Sequence, residues 1–483
     1  MTDRIGAHRL IERVVDTDSF ESWDAPVDVS GHDADYASAL RKASERAGTD
    51  EAVVTGCATI GGRDVALIVS EFEFLGGSIG RATARRIVAA VNRATERRLP
   101  LLAAPRSGGT RMQEGTPAFV RMVSITRAIL AHKAAGLPYL VYLRDPTTGG
   151  VFASWGSLGH ITVAEPGALI GFLGPRVYEA LHGTPFPPGV QTAENLADNG
   201  IIDAVVAIDE LAALATRALR LLTSPESGDT TDPPPSASSP REHLATPWDS
   251  VRRTRRDDRP GVTDLLRNAT DDVLRLRGTG AGDRDDGLVL ALASLHGIHC
   301  VLIGHDRHHQ RHTPLGPAAM RQAQRGMRLA EDLRLPLVAI IDTPGADLSP
   351  AAEEGALAGE IAQCVATITA LTVPTVSVLL GQGCGGAALA LLPTDRVIAA
   401  EHAWLSALPL EGASAIVHRD TDHAAEMATR QHITAPDLLA EGIVHHIVAE
   451  PPDAARDVRG FTRTIVAACA KQIRELRTIP SGS

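Results

Sequence analysis

The sequence predicts an α/β fold built twice, with each copy a β-sheet covered by helices. Two observations carry this. First, Pro138 and Pro374 each open an apolar run, Tyr139-Leu-Val-Tyr-Leu143 and Thr375-Val-Ser-Val-Leu-Leu380. Each run leads to a glycine pair, Gly149-Gly150 and Gly385-Gly386, and both features repeat at 236 residues. The same offset relates Gly80 to Gly316, Arg98-Leu-Pro-Leu to Arg334-Leu-Pro-Leu, Gly109 to Gly345, and Ala164-Glu165 to Ala400-Glu401. A period this long is a duplicated domain, not a solenoid. Second, strand-like runs alternate with amphipathic helical patterns, which implies crossover connections and helices over the sheet faces.

Within the first copy, helices are expected over residues 5–15 and 36–46. A hairpin follows over 52–60 and 65–70, turned by Gly61-Gly62. Residues 82–98 pattern as a long amphipathic helix, and 99–104 as a short buried strand. Ser107-Gly108-Gly109-Thr110 turns the chain into a helix ending near Gly136. After Gly149-Gly150 come a short helix, a strand over 161–165, and a helix up to about Leu222. The second copy repeats this order, with Gly297-Ile-His-Cys-Val-Leu-Ile matching Gly62-Arg-Asp-Val-Ala-Leu-Ile at 235 residues.

Pro, Ser and Thr dominate Thr223 to Pro240, where Ala237 is the one apolar side chain. Such a stretch cannot bury enough surface to offset ordering, so it reads as a flexible linker. The expected organisation is an N-terminal domain over 1–222, a linker over 223–245 and a C-terminal domain over 246–483.

Composition limits the function. The 483 residues are 44% hydrophobic, enough for large cores, and with only 3% aromatic those cores are built from Ala, Leu, Val and Ile. A net charge of −11 argues against nucleic acid and membrane surfaces as partners. There is no apolar run of transmembrane length and no signal-peptide pattern, so a cytoplasmic protein is expected. Cys57, Cys300, Cys364, Cys384 and Cys469 are scattered without C-x-x-C spacing, which excludes a zinc ribbon and disfavours a disulfide framework.

Three local patterns are decoys. Gly76-Gly-Ser78-Ile-Gly80 fits a hydrolase nucleophile elbow, but its counterpart Thr313-Pro-Leu-Gly316 has no serine. Gly381-Gln-Gly383-Cys-Gly-Gly386 fits a dinucleotide fingerprint, but late in its domain, and Asp145-Pro-Thr-Thr-Gly-Gly lacks the pattern. His305, His308, His309 and His312 are interleaved with arginines and read as a solvated loop rather than a metal cluster.

The glycine turns carry the chemistry. A strand running into glycines and then a helix start can aim free N–H groups at one point, where an anion or enolate oxygen is held. Each copy has two such turns, Gly108-Gly109 with Gly149-Gly150, and Gly345-Ala346 with Gly385-Gly386-Ala387. Glycine serving only for packing or positive φ is the alternative, and it does not account easily for two turns in each copy.

At these residues the chain resembles the carboxyltransferase component of acetyl-CoA carboxylase, a member of the crotonase (ClpP-like) superfamily. Residues 50–206 resemble the β subunit through Phe74-Leu-Gly-Gly-Ser-Ile-Gly, Ser107-Gly-Gly-Thr-Arg-Met-Gln-Glu-Gly115, Asp145-Pro-Thr-Thr-Gly-Gly and Ala164-Glu-Pro-Gly-Ala. Residues 246–450 resemble the α subunit through Thr246-Pro-Trp, Asp342-Thr-Pro-Gly-Ala346, Glu353-Glu-Gly, Gly385-Gly-Ala-Leu-Ala and Ile433-Thr-Ala-Pro-Asp. The family's β subunit usually opens with a four-cysteine zinc ribbon, which has no counterpart here, so no zinc is expected. The loops at His305–Thr313 and Leu408–Gly412 depart from the family pattern.

The resemblance implies tandem crotonase-like domains, with β-like and α-like subunits joined in one chain. It also implies transfer of carboxylate from carboxybiotin, on a separate carrier protein, to the α-carbon of acetyl-CoA or another short acyl-CoA, giving malonyl-CoA. The implied partners are the biotin carboxyl carrier protein, biotin carboxylase and further copies of this chain, as a dimer or higher. Two oxygens need stabilising, that of the biotin ureido group and that of the thioester, and two duplicated holes match them. Gly108, Gly109, Gly149 and Gly150 are assigned to one hole, and Gly345, Ala346, Gly385, Gly386 and Ala387 to the other. A malonyl-thioester decarboxylase and a catalytically silent scaffold are the alternatives.

Overall fold

The computed structural model describes residues 5–28, 32–223 and 246–478. Contacts divide the chain into two compact units, Met1–Ser224 with Gly280–Gly282 and Pro225–Thr279 with Asp283–Ser483. Apart from Thr223, the stretch expected as a linker over 223–245 lies outside the described residues. No described helix is long and apolar enough to cross a membrane.

The strands of the first unit are β1 (Glu21–Ser22), β2 (Val53–Ile60), β3 (Arg63–Ser70), β4 (Leu101–Ala104), β5 (Tyr139–Leu143), β6 (Thr147–Thr148), β7 (Ile161–Ala164), β8 (Ile170–Gly171) and β9 (Ala204–Val205). The main sheet runs β1-β2-β3-β4-β5-β7-β9, antiparallel up to β3 and parallel beyond, while β6 and β8 pair separately. Ile60 pairs with Arg63 across Gly61 and Gly62, at φ +55° and +73°. Positive φ at both central positions gives the two-residue turn whose twist matches the strands. Every residue of β4, β5 and β7 is buried, as expected of parallel strands covered on both faces. Helix Arg81–Glu96 buries Ala84, Ile87, Val91 and Ala94 on one stripe, in the same core as Ile125 and Ile129 of helix Arg121–Ala134.

In the second unit the strands are β10 (Asp272–Leu276), β11 (Leu288–Leu295), β12 (Ile298–His305), β13 (Leu337–Thr343), β14 (Thr375–Cys384), β15 (Arg396–Ala400), β16 (Trp404–Ser406) and β17 (His446–Val448). Their order is β10-β11-β12-β13-β14-β15-β17, with β16 pairing the end of β14. The duplication extends to register. Leu101 pairs with Tyr139 as Leu337 pairs with Thr375, and Arg98 and Arg334 both stand at φ +54° after the preceding helix. Both units are thus α/β sheets of one topology, each covered by helices.

Two expectations need correction. The single helix up to Leu222 is instead β8, helices Pro175–His182 and Ala193–Asp198, β9, and helix Ile208–Thr223. Gly183, left-handed at φ +71°, caps the first of these helices, and Pro187-Pro188-Gly189 prevents its continuation. The short helix expected after Gly150 is reduced to a 3-10 turn at Trp155–Ser157.

Candidate active site

In each unit the two glycine turns sit beyond the carboxyl ends of neighbouring parallel strands, where open α/β sheets bind ligands. One additional bridge stitches each pair together, Ser107 to Thr147 and Thr343 to Gly383, again 236 residues apart. A second stitch, also repeated in both units, joins Ile79 to Thr110 and Leu315 to Ala346. In the first unit the turns touch. A Cβ placed on Gly149 would lie 3.4 Å from the Cα of Gly109.

Many of the predicted N–H donors already have acceptors. Gly108 N–H donates to Gly76 O at 3.0 Å, and Gly149 N–H to Gly171 O and Phe172 O at 3.2 and 3.0 Å. Gly109 N–H donates to Ser107 Oγ at 3.0 Å, and Gly345 N–H to Thr343 Oγ1 at 3.1 Å. These glycines therefore shape the turns: Gly109, Gly149 and Gly345 stand at φ +107°, +64° and +134°, where a Cβ is disfavoured. Gly150 N–H and Ala346 N–H have no acceptor among the described residues. Helix Gly385–Leu389 starts directly at the end of β14, and the first-turn N–H groups of Gly386 and Ala387 likewise have no acceptor.

Gly150 differs from its neighbours. Its φ is not positive, and a Cβ there would meet Met122 and Thr110 at an ordinary 3.7 Å. Neither backbone conformation nor packing within the unit requires glycine at 150. At Gly386 a Cβ would instead come within 2.8 Å of Ile361 Cδ1, the far end of a half-buried side chain that can turn aside, so Ile361 would have to shift to admit it.

Buried charges hold the turns. In the first unit Arg111 is 1% exposed; it pairs with Glu51 at 2.6 Å and donates to Ser78 O at 2.9 Å, anchoring the 107–115 loop. Arg144 donates to Ser70 O and Ile5 O, and Arg106 to Asp145 O. Burial, and then the nearby Arg106, pull the Arg144 guanidinium down to about 10, still charged at neutral pH. In the second unit Asp342 is fully buried, paired with Arg307 at 2.8 Å, and accepts Gln382 N–H at 3.0 Å. Gly381 is explained by this carboxylate, since a Cβ there would lie 2.6 Å from Asp342 Oδ1. Arg259 pairs with Glu450 and donates to Leu380 O. Burial pushes the Cys384 thiol, just before Gly385, up to about 11, so it stays protonated.

The decoys resolve physically. Ser78 Oγ donates to Leu75 O at 2.8 Å and accepts from Arg111, so it has the partners of a structural turn serine. Gly381 and Gly383 lie inside β14 rather than in a phosphate-binding loop. The His305–His312 stretch, expected as a solvated loop, is so only at its far end. His305 ends β12 fully buried, burial pushes its pKa down to about 3, and Arg307 and Gln310 turn inward onto Asp342. Arg311 and His312 are exposed. The buried anchors Arg111, Arg144, Arg307 and Asp342 were not identified as site residues from the sequence. A charged residue within a strand end or glycine loop was the available signal.

Comparison with known proteins agrees with this geometry. The family model described as carboxyl transferase domain matches residues 7–481. A probable biotin-dependent acyl-coenzyme A carboxylase beta3 subunit of Mycobacterium tuberculosis is 56% identical over 481 residues, covering 99% of this chain and 96% of its own. An acetyl-coenzyme A carboxylase carboxyl transferase, subunits beta/alpha, of Saccharopolyspora erythraea is 37% identical, covering 98% and 86%. Among solved structures, the transcarboxylase 12S hexamer with methylmalonyl-coenzyme A bound shares the fold, with TM-score 0.76 at 21% identity, covering 99% of this chain and 91% of the other. The chain belongs to the carboxyl transferase domain family.

Proposed function

We propose that this chain is the carboxyltransferase component of a biotin-dependent acyl-CoA carboxylase, in which β-like and α-like halves are joined. It moves a carboxyl group from carboxybiotin on a carrier protein to the α-carbon of a short acyl-CoA, acetyl-CoA giving malonyl-CoA. The observation that carries this reading is the pair of stitched glycine turns, present once in each unit and presenting unengaged N–H groups at Gly150, Ala346, Gly386 and Ala387. Carboxybiotin supplies the carboxyl group and, once CO₂ is released, the base, so the protein needs no general base of its own.

What the chain supplies is fixed donors where negative charge develops on oxygen, already oriented before the reaction. Ser107 Oγ and Thr343 Oγ1 hold the neighbouring glycine N–H groups, so each turn keeps its shape. The glycine at 150, unexplained by the fold itself, leaves room for a substrate atom to approach the backbone. Exposed apolar side chains beside the turns, Met112 and Phe172 in one unit and Leu348 and Leu389 in the other, support a homo-oligomer that covers them. Biotin carboxylase completes the system by loading the carrier.

The test is carboxylation by the purified chain with biotinylated carrier, biotin carboxylase, ATP and bicarbonate across acetyl-, propionyl- and butyryl-CoA. Transfer to at least one acyl-CoA supports the reading. Decarboxylation of malonyl-CoA without any transfer, or no turnover on either, contradicts it.

A further inference from the structure

We propose that the second unit carries a divalent-metal site of the zinc type, formed by His418, His423 and Glu426. Each offers one ligand atom, and these atoms lie within 4.8 Å of one another. The site is a product of local sequence. Helix Leu410–His418 ends at Arg419, left-handed at φ +67°, and the chain turns into helix Ala424–Arg430 within His423's own N-cap. His418 closes the first helix, His423 caps the second, and Glu426 lies in its first turn. The hairpin beneath is fixed by Leu410, Ala413, Ala424, Met427 and Ala428, all in one buried cluster.

The side chains show what an ion would satisfy. His418 Nε2 is buried without a hydrogen-bond partner among the described residues, and Glu426 Oε1, at 3.8 Å, is too far to serve as one. A bound cation would give this nitrogen the partner that the described residues do not supply. The His418 and His423 rings stack with centroids 4.2 Å and planes 14° apart, so both imidazoles stand at one place, and one ring has to swing out of the stack for both in-plane lone pairs to meet a single ion. Asp420 Oδ1 lies 2.8 Å from His423 Nδ1 and also accepts the Asp422 N–H at 3.0 Å. A carboxylate that fixes the orientation of an imidazole is the usual support of a metal-ligating histidine.

Two imidazoles and a carboxylate suit Zn²⁺, with a fourth position open to water. Bonds of about 2.0–2.1 Å place the ligand atoms of one tetrahedral ion roughly 3.4 Å apart, so the cluster has to tighten by about an ångström. Glu426 is exposed and free to do so, giving up its 3.6 Å contact with Arg430. The site is unrelated to a four-cysteine ribbon. Its consequence lies in the hairpin, whose root shares its buried cluster with Cys384, the residue before Gly385. An ion at the tip stiffens the hairpin that packs beside this glycine turn.

The experiment uses the untagged full chain, stripped with chelator and titrated with Zn²⁺ by calorimetry, then with Co²⁺ by visible absorption. One Zn²⁺ per chain, a raised melting temperature and tetrahedral Co²⁺ bands are expected. Asp420→Asn should weaken Zn²⁺ affinity about 10–100-fold. A His418→Gln, His423→Gln double variant should abolish binding while melting, in chelator, as the parent does. Absence of binding at stoichiometric Zn²⁺, or binding that the double variant retains undiminished, overturns the site. If that variant fails to fold, Glu426→Gln on the surface gives the same readout, and unchanged affinity there is equally contrary.

Discussion

The two glycine turns descend from one pattern, yet they are built differently. In the second unit β14 runs without interruption through Leu380, Gly381 and Gln382 to Cys384, and a helix starts at once. In the first unit the strand stops at Leu143 and restarts as β6 at Thr147, and no described α-helix starts directly after Gly150. The residue matching Gln382 is Pro146. Gln382 donates its N–H to the Asp342 carboxylate, whereas proline has none to donate, so this anchor has no counterpart at Pro146. The supporting charge is also inverted, because the position held by Asp342 in one unit is Arg106 in the other. At this matched position the turns are held by a buried carboxylate in one unit and by a buried guanidinium bonded to a carbonyl in the other.

That contrast sets the scale of the expected effects. The largest is Asp342→Ala, which strands Arg307 in a buried site and releases the Gln382 N–H. A broken buried pair costs about 3–5 kcal/mol, measured by denaturant unfolding. Arg144→Met in the first unit should cost less, about 1–3 kcal/mol, since it leaves carbonyls such as Ser70 O unsatisfied rather than a charge. Equal costs would erase the distinction between the two supports.

Next is the pair Gly149→Ala and Gly150→Ala. The first forces a Cβ into a left-handed conformation and should lower stability by about 1–2 kcal/mol. The second meets only ordinary contacts, so it should melt close to the parent and lose activity instead. A Gly150→Ala chain that melts low but turns over normally would make that glycine a packing device.

The smallest effect at neutral pH is titration of one buried histidine in each unit. Burial pushes His132 down to about 4 and His305 down to about 3, from an ordinary value of 6.5. The unfolded chain therefore binds more protons below about 6.5. The contribution of these groups is complete above that pH and is lost as pH falls toward 4 and 3. Melting curves against pH should show His305→Gln flattening the acid limb, and an unchanged limb would contradict neutral burial.

Much of this was legible in the sequence because duplication doubles every signal. The 236-residue offset locates the strands and the turns, and the register pairs repeat it. Hydrogen-bond accounting was not legible. That Gly109 and Gly345 lend their N–H groups to Ser107 and Thr343 depends on side-chain rotamers two residues away. The segment after β8 misled because its leucines and alanines suit helix throughout, although Gly183 and Pro187-Pro188-Gly189 already marked the breaks. His305 misled in the opposite direction, since a run rich in His and Arg reads as solvated until Asp342 is placed opposite Arg307.

The central claim is that open backbone N–H groups, Gly150 foremost, stabilise oxygen during carboxyl transfer. Placing glycolic acid at position 150 turns the 149–150 amide into an ester, which removes that N–H and leaves the Gly149 carbonyl in place as a weaker acceptor for Ala153 N–H. The measurement is carboxyl transfer per folded chain, beside a melting curve. The account predicts a loss of about 10²–10³ in rate with little change in melting, because the N–H has no acceptor within the described protein. Unchanged transfer by the ester-containing chain would contradict it.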